Sequence, residues 1–178
     1  MHAVESIIQA FEKGGAEMYL GEEVTQLQHA LQAAHMAERE GAEEALIAAA
    51  LLHDFGHLIA GDESANPAFD FRHEELGARW LSGHFPEAVW MPVQLHVAAK
   101  RYLCATNPSY LGRLSAASLH SLALQGGPMS GEEVRDFEAS PFCRTAVRLR
   151  LWDDEAKNPA FAATNLERYR ELLLRLAI

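Results

Sequence analysis

The chain has 178 residues, of which 49% are hydrophobic and 22% are charged, so it can form a folded domain with its own core and is too apolar for disorder. Its formal net charge of −10 argues against a general nucleic-acid binder, which needs a basic surface to displace counterions. No apolar run approaches the roughly 20 residues of a membrane span, and the N-terminus is unlike a secretion signal. We therefore expect a single cytoplasmic domain over residues 1–178, with no nucleic-acid or membrane partner.

Helical hydrophobic spacing recurs along the whole chain. It predicts helices over residues 2–13, 24–40, 43–53, 72–82, 115–124, 132–138, 142–156 and 166–176. It also predicts a helix that begins at residue 86 and extends beyond residue 100, and a short helix that begins at residue 107. Residues 61–71 have a loop composition, and their number suggests a lid or a segment that lines a site. Because no segment alternates with the period of a strand, the sequence predicts an all-α fold.

One apolar helix ends in side chains that can bind metal. A run of alanine, leucine and isoleucine finishes in His53 and Asp54, Gly56 then gives the backbone freedom to turn, and His57 follows His53 by four residues. Buried charges are normally paired or coordinate a metal, so this helix end reads as a site rather than as packing.

Further imidazoles and carboxylates lie on or beside the predicted core-facing helices. They are His29, His73, His96 and one of the pair Asp153 and Asp154. Any single histidine could be an ordinary core residue, but a whole set of them indicates ligands. Imidazole with carboxylate suits iron, manganese, zinc or nickel. Because four histidines and two aspartates exceed the needs of one catalytic metal, we expect two metals bridged by Asp54.

The order of these residues resembles the HD-domain superfamily of helical metalloproteins. The stretch Ala50–His57 is similar to the signature of that superfamily, and the outlying histidines and aspartate follow in the same order. The resemblance implies a single helical bundle with a dinuclear metal site in its core. Most members of the superfamily are phosphohydrolases, which by itself favours hydrolysis of a phosphate ester.

Four segments resemble a smaller branch, the mixed-valent diiron oxygenases that act on 2-amino-1-hydroxyethylphosphonate or its trimethylammonio counterpart. The segments are Tyr19–Ala30, His96–Tyr102, Leu124–Met129 and Arg148–Lys157. This resemblance implies oxygen-dependent cleavage of the carbon–phosphorus bond of a small-molecule phosphonate, giving phosphate and glycine or glycine betaine. It also implies two iron ions in a mixed-valent Fe(II)/Fe(III) state, with dioxygen as co-substrate.

The resemblance further implies a role for each candidate residue. One iron is held by His29, His53, Asp54 and Asp153, and the second by Asp54, His73 and His96. The phosphonate is held by Lys100, Ser118, Ser121 and Arg150, while His57 hydrogen-bonds near it. Tyr19 occupies the substrate-binding iron until substrate displaces it, and Glu22 secures that movement. A phosphonate dianion does need cations and hydroxyl donors, which these residues supply.

Several alternatives stay open from the sequence. A phosphohydrolase would use the same ligands, and a non-catalytic regulatory module would normally lose some of them. An aromatic residue followed by two aspartates favours Asp153 over Asp154 as the ligand. Arg150 and Lys157 could instead form helix-face ion pairs with these aspartates. Helical spacing would place Glu22, Gln26 and His29 on one face, and neither the head group of the substrate nor the oligomeric state is determined.

Overall fold

The computed structural model describes residues 3–19, 21–60, 72–161 and 165–178. In these ranges the chain forms ten α-helices and one short 3-10 turn, Leu111–Arg113, and contains no strand beyond one isolated bridge between Met18 and Thr25. The helices are α1 (Ala3–Gly14), α2 (Gln26–Arg39), α3 (Glu44–Leu52), α4 (Phe55–Ala60), α5 (His73–Ser82), α6 (Glu87–Thr106), α7 (Ala116–Leu124), α8 (Gly131–Ala139), α9 (Cys143–Glu155) and α10 (Glu167–Leu176). The all-α prediction is therefore confirmed. The loop predicted for residues 61–71 lies outside the described residues.

Capping side chains explain where three of the helices begin. Thr25 and Ser130 each form a capping box with the residue three positions on, and Ser115 accepts a hydrogen bond from the Ser118 backbone amide. Since α2 starts at Gln26, Glu22 lies in the turn before it, and the expectation that it continues the helix face of His29 is wrong. A helix started at Glu22 would forgo the Thr25 cap.

The core lies around α3, whose middle is buried on every side. Ala48, Ala49 and Ala50 are fully buried, and their small side chains let α2, α6 and α9 approach closely. Pro92 lies inside α6, where it removes one backbone hydrogen-bond donor from the helix. Because α2, α6 and α9 pack around α3, its carboxyl end, where the metal-capable side chains begin, is enclosed by helices.

No helix in the described ranges is long and apolar enough to cross a membrane.

Gly56 is required for close packing rather than for a turn. It lies inside α4 and does not interrupt a helix, contrary to the expectation from sequence. A Cβ atom added at Gly56 would lie 1.9 Å from the backbone oxygen of His73, and Gly77 faces Gly56 across the same contact. The absence of side chains here allows α5 to bring His73 against α4.

Replacement of Gly56 by alanine is expected to destabilise the protein. The new methyl group would force α4 and α5 apart, and overpacking of this kind costs about 1–3 kcal/mol or more. Urea unfolding measures the loss. Gly112→Ala is the matched control, because a Cβ there meets nothing within 4 Å, and its effect should stay within about 0.5 kcal/mol. Equal stability of both variants would show that the contact is not tight.

Candidate metal centre

Four helices and the segment between α3 and α4 bring the predicted ligands together in the core. His29 comes from α2, His73 from the start of α5, His96 from α6 and Asp153 from α9, while His53 and Asp54 follow the end of α3. All six residues are at most 9% exposed. Residues up to 124 positions apart in the chain therefore converge on one buried volume.

The two carboxylate oxygens of Asp54 face different pairs of histidines. Oδ2 lies 3.4 Å from His53 Nε2 and 3.7 Å from His29 Nε2. Oδ1 lies 3.2 Å from His73 Nε2 and 3.7 Å from His96 Nε2. Within each pair the two Nε2 atoms are only 3.0 Å and 3.1 Å apart. This arrangement suits a carboxylate that bridges two cations, each of which also has two imidazole ligands.

Backbone carbonyls determine which ring nitrogen of three histidines carries the proton. Nδ1 lies 2.9 Å from Ala156 O in His29, 2.8 Å from Ala50 O in His53, and 2.7 Å from Val93 O in His96. A carbonyl only accepts, so Nδ1 donates, and the neutral ring keeps its lone pair on Nε2. Metal-ligating histidines are typically held by such a hydrogen bond on the other nitrogen.

Two buried carboxylate oxygens provide a direct test of whether the site fits a metal. Asp54 Oδ2 and Asp153 Oδ1 accept no hydrogen bond from the part of the chain that the structure describes. Asp153 Oδ1 lies 3.3 Å from His29 Nε2 and 3.8 Å from His53 Nε2. When these rings are neutral, the carboxylate oxygen faces nitrogen lone pairs, and neither side supplies a hydrogen-bond donor. Buried acceptors without donors are costly unless a cation satisfies them. The residues present therefore fit metal ions.

The electrostatics of the cluster keep the carboxylates charged. Burial would raise the pKa of the Asp54 carboxyl, but the neighbouring imidazoles, chiefly His53, outweigh burial and hold it well below its usual range. Burial lowers the pKa of His96, and the charges of His73 and His53 lower it further. The cluster thus offers anionic oxygens and a neutral His96. Burial would lower the pKa of His53 and His73, but the charge and hydrogen bonds of Asp54 outweigh burial and raise it, so a metal ion bound there would displace protons from these two rings.

His57 adds a further imidazole beside the second histidine pair. Its ring stacks on that of His73 with the centroids 4.2 Å apart, and one ligand atom each of Asp54, His57 and His73 lies within 4.8 Å of the others. Burial, with the charge of His73, lowers the pKa of His57 to about 3. His57 is therefore neutral and close enough either to bind metal or to hydrogen-bond a molecule bound there.

The structure places Asp153, rather than Asp154, against the histidines. Asp154 lies on the outer side of the cluster and hydrogen-bonds the Tyr110 hydroxyl and the guanidinium of Arg150. Arg150 also donates to Asp153 Oδ2 at 2.6 Å and to Tyr110 Oη at 3.1 Å, and it is 4% exposed. Each guanidinium nitrogen is thus engaged, as expected for the ion-pair alternative for Arg150, and the pairing orients Asp153.

Arg150→Met is expected to lower the free energy of unfolding of the metal-free protein by about 3–5 kcal/mol, because it leaves the buried Asp153 carboxylate and the partly buried Asp154 carboxylate without their cation. Urea unfolding after chelation measures the change. Arg148→Met is the matched control on the same helix: Arg148 is 42% exposed and lies 3.8 Å from Glu40, so its loss should cost no more than about 1 kcal/mol. An unchanged stability for Arg150→Met would show that the ion pairs of Arg150 with Asp153 and Asp154 do not stabilise the fold.

Tyr19 and Glu22 lie in one turn beside the cluster. The Glu22 amide donates to Tyr19 O at 2.9 Å, and Gly21 adopts φ 75°, a conformation that favours glycine. The Tyr19 ring stacks on His29 with centroids 4.1 Å apart. Burial and the charges of Asp54 and Asp153 raise the pKa of Tyr19, so its hydroxyl stays protonated.

Two lysines meet two serines on one face of α7. Lys100 Nζ donates to Ser121 Oγ at 2.8 Å, and Lys157 Nζ donates to Ser118 Oγ at 3.2 Å. Lys157 also lies 3.0 Å from Glu22 Oε1, whose other partner is the Ser115 hydroxyl at 2.7 Å. Lys157 thus contacts Glu22 and the serines, in place of the aspartates that the sequence alternative gave it. The charges and hydroxyls suit an oxyanion.

Residues 26–124 match the family model described as HD domain, so the chain belongs to the HD domain family. It is 49% identical over 156 residues to the [1-hydroxy-2-(trimethylamino)ethyl]phosphonate dioxygenase (glycine-betaine-forming) of Leisingera caerulea, covering 86% of this chain and 80% of that protein. It is 45% identical over 169 residues to the hydroxymethylphosphonate dioxygenase of Gimesia maris, covering 93% and 84%. An uncharacterized protein of Acanthamoeba polyphaga mimivirus is 37% identical over 175 residues, covering 96% and 80%.

Sequence reasoning missed the part played by Tyr110 and Ser115. Tyr110 is 2% exposed and joins Arg150 to Asp154, while Ser115 caps α7 and also donates to Glu22. A buried tyrosine in a short polar segment was the available signal for Tyr110, because a buried hydroxyl needs a partner. Nothing local distinguishes Ser115 from an ordinary cap.

Proposed function

We propose that the protein is a non-haem diiron oxygenase that cleaves the carbon–phosphorus bond of a 1-hydroxyphosphonate. The observation that carries the proposal is the bridging geometry of Asp54, which offers one oxygen to each of two histidine pairs. The two phosphonate dioxygenase relatives support the reaction class. The candidate substrates are the 2-amino and 2-trimethylammonio derivatives of 1-hydroxyethylphosphonate, with hydroxymethylphosphonate added by the Gimesia maris relative. The whole chain acts as one domain, since Asp153 comes from α9, beyond the matched HD region.

Seven coordinating positions would hold the metal. We assign His29, His53, Asp153 and one oxygen of Asp54 to one iron, and His73, His96 and the other oxygen of Asp54 to the second, with the pair in a mixed-valent Fe(II)/Fe(III) state. Iron at these positions would supply the redox chemistry and activate dioxygen. The reaction balances with one dioxygen: one oxygen atom enters the carboxylate product, the other enters phosphate, and no external reductant is consumed.

The protein's own residues bind and orient the phosphonate. Lys100, paired with Ser121, supplies a buried ammonium, and the hydroxyl of Ser118 lies on the same face of α7. Arg150 holds Asp153 and adds a positive charge behind this site. Neutral His57 donates or accepts a hydrogen bond near the substrate hydroxyl. Holding the reacting groups in one orientation removes much of the entropic barrier.

Tyr19 covers the metal centre until substrate arrives. Its ring lies flat on His29, and its turn is tied to α7 and to Lys157 through Glu22. Displacement of Tyr19 would leave room for substrate beside the residues that would hold the metal, while Glu22 secures the turn. We place the reaction in the cytoplasm, where Cys104 and Cys143, which are both free thiols, remain reduced.

The test compares phosphate release from hydroxymethylphosphonate and from the two larger substrates with and without dioxygen. Iron-loaded protein should release one phosphate for each dioxygen consumed and none under anaerobic conditions. Electron paramagnetic resonance of a partly reduced sample should show a coupled iron pair that substrate perturbs. Phosphate release that persists without oxygen, or full activity with zinc or manganese and no iron, would indicate a phosphohydrolase instead.

A further inference from the structure

We propose that Lys157 is a second cationic ligand of the substrate phosphonate, and that it binds the phosphonate by giving up its ion pair with Glu22. This inference rests on the proposed function. It adds a substrate-binding residue to the set built on Lys100, and it connects occupation of the anion site to the turn that carries Tyr19.

Lys157 has the position and the partners of a ligand rather than of a surface lysine. It follows the end of α9, only four residues after Asp153, and its side chain is 13% exposed. Its ammonium is 3.0 Å from Glu22 Oε1, 3.2 Å from Ser118 Oγ and 3.4 Å from Ser115 Oγ. The ammonium is therefore shared between one carboxylate and hydroxyl groups of α7.

The contacts on α7 repeat those of the predicted substrate-binding lysine. Lys100 donates to Ser121 and Lys157 donates to Ser118, and these serines are three residues apart on one helix face. A phosphonate between the two lysine–serine pairs would receive two cations and two hydroxyls. That composition matches the two negative charges of a phosphonate dianion better than a single lysine does.

Arg150 cannot serve as the second cation, because its guanidinium would have to leave its present partners to bind the phosphonate. Its three guanidinium nitrogens are engaged by Asp153, Asp154 and Tyr110, and breaking these contacts would leave Asp153, which is 2% exposed, without its cation. Lys157 has an easier exchange, because its carboxylate partner Glu22 is 14% exposed and keeps the Ser115 hydroxyl as a donor. Of the two cations, Lys157 is the one that can change partner at low cost.

The exchange has a consequence for Tyr19. Glu22 and Tyr19 belong to one turn, and the Lys157 ammonium lies 5.9 Å from the centre of the Tyr19 ring. While Lys157 holds Glu22, the turn has two restraints, the ion pair with Lys157 and the hydrogen bond from Ser115, and Tyr19 stays on His29. Transfer of the ammonium to the phosphonate removes the ion pair and leaves the Ser115 hydrogen bond alone, so the oxyanion itself promotes release of Tyr19.

The test is a mutant cycle measured by titration calorimetry of the iron-loaded protein with hydroxymethylphosphonate under anaerobic conditions. Lys157→Met should weaken binding about tenfold to a hundredfold, since a charge-assisted hydrogen bond contributes about 1.5–3 kcal/mol. Glu22→Gln should strengthen binding, because the carboxylate no longer competes for the ammonium. The gain should vanish in the double variant, and Lys157→Arg should restore part of the affinity.

Lys13→Met is the matched control, because it removes the same charge from an exposed position on α1. Equal binding by Lys157→Met and wild type, or weaker binding by Glu22→Gln, would overturn the inference and show that the ion pair is only structural. The Glu22→Gln arm decides the question even if Lys157→Met fails to fold. Wild-type protein that binds no phosphonate would instead contradict the proposed function.

Discussion

Asp54→Asn is expected to leave the protein unable to hold two metal ions and to lower kcat by about a thousandfold or more. Asparagine has the same size, but its amide presents one oxygen and one nitrogen donor, so one histidine pair would face N–H groups instead of an acceptor. A catalytic metal contributes several kcal/mol to the transition state, and each 1.36 kcal/mol is a factor of ten in rate. Elemental analysis and steady-state kinetics measure the two effects.

Asp136→Asn is the control for the Asp54 variant, since Asp136 is exposed on α8 and lies outside both ligand groups. It should bind metal and turn over as the unmodified protein does. Two metal equivalents in Asp54→Asn at unchanged kcat would show that Asp54 does not bridge. If Asp54→Asn retains one metal equivalent and residual activity, His53 and His73 can each be replaced in that variant. The replacement that removes the remaining metal identifies the histidine pair that binds it.

Lys100→Met is expected to raise KM for the phosphonate about tenfold to a hundredfold while metal content stays unchanged. The lost contact is a charge-assisted hydrogen bond in a site where Lys100 is 3% exposed, and such bonds contribute about 1.5–3 kcal/mol. Lys13→Met provides the control for loss of one positive charge. A Lys100→Met variant that no longer binds metal would mean that the lysine supports the fold of the metal centre instead of binding substrate.

The same lysine gives binding a pH dependence. Burial, with the charge of Arg150, lowers the pKa of Lys100 to about 8. Lys100 is therefore charged below that pH and neutral above it, so affinity for the phosphonate should fall as pH rises through about 8. Lys100→Arg keeps its charge at alkaline pH and should remove this dependence. A KM that is flat from pH 7 to 9 in the unmodified protein would contradict the assignment.

Much of the fold follows from local sequence. Apolar periodicity and capping residues such as Thr25 and Ser130 determine where helices lie, because they act over one or two turns. Close approach is different: Gly56 looks like a turn residue in sequence and is a packing contact in the structure, where the oxygen it accommodates belongs to His73. Only the neighbouring helix shows why a side chain is excluded there.

The sequence by itself determined an all-α chain and predicted a set of candidate metal ligands: a His53–Asp54 pair at the end of an apolar helix, with further histidines in the number that a dinuclear site would use. Only the tertiary structure decided how the two oxygens of Asp54 divide between histidine pairs, that Asp153 rather than Asp154 faces them, and that Lys157 meets Glu22 instead of an aspartate. Residue type sets what a side chain can bind. The packing of distant helices sets which atoms meet, and no local pattern specifies that.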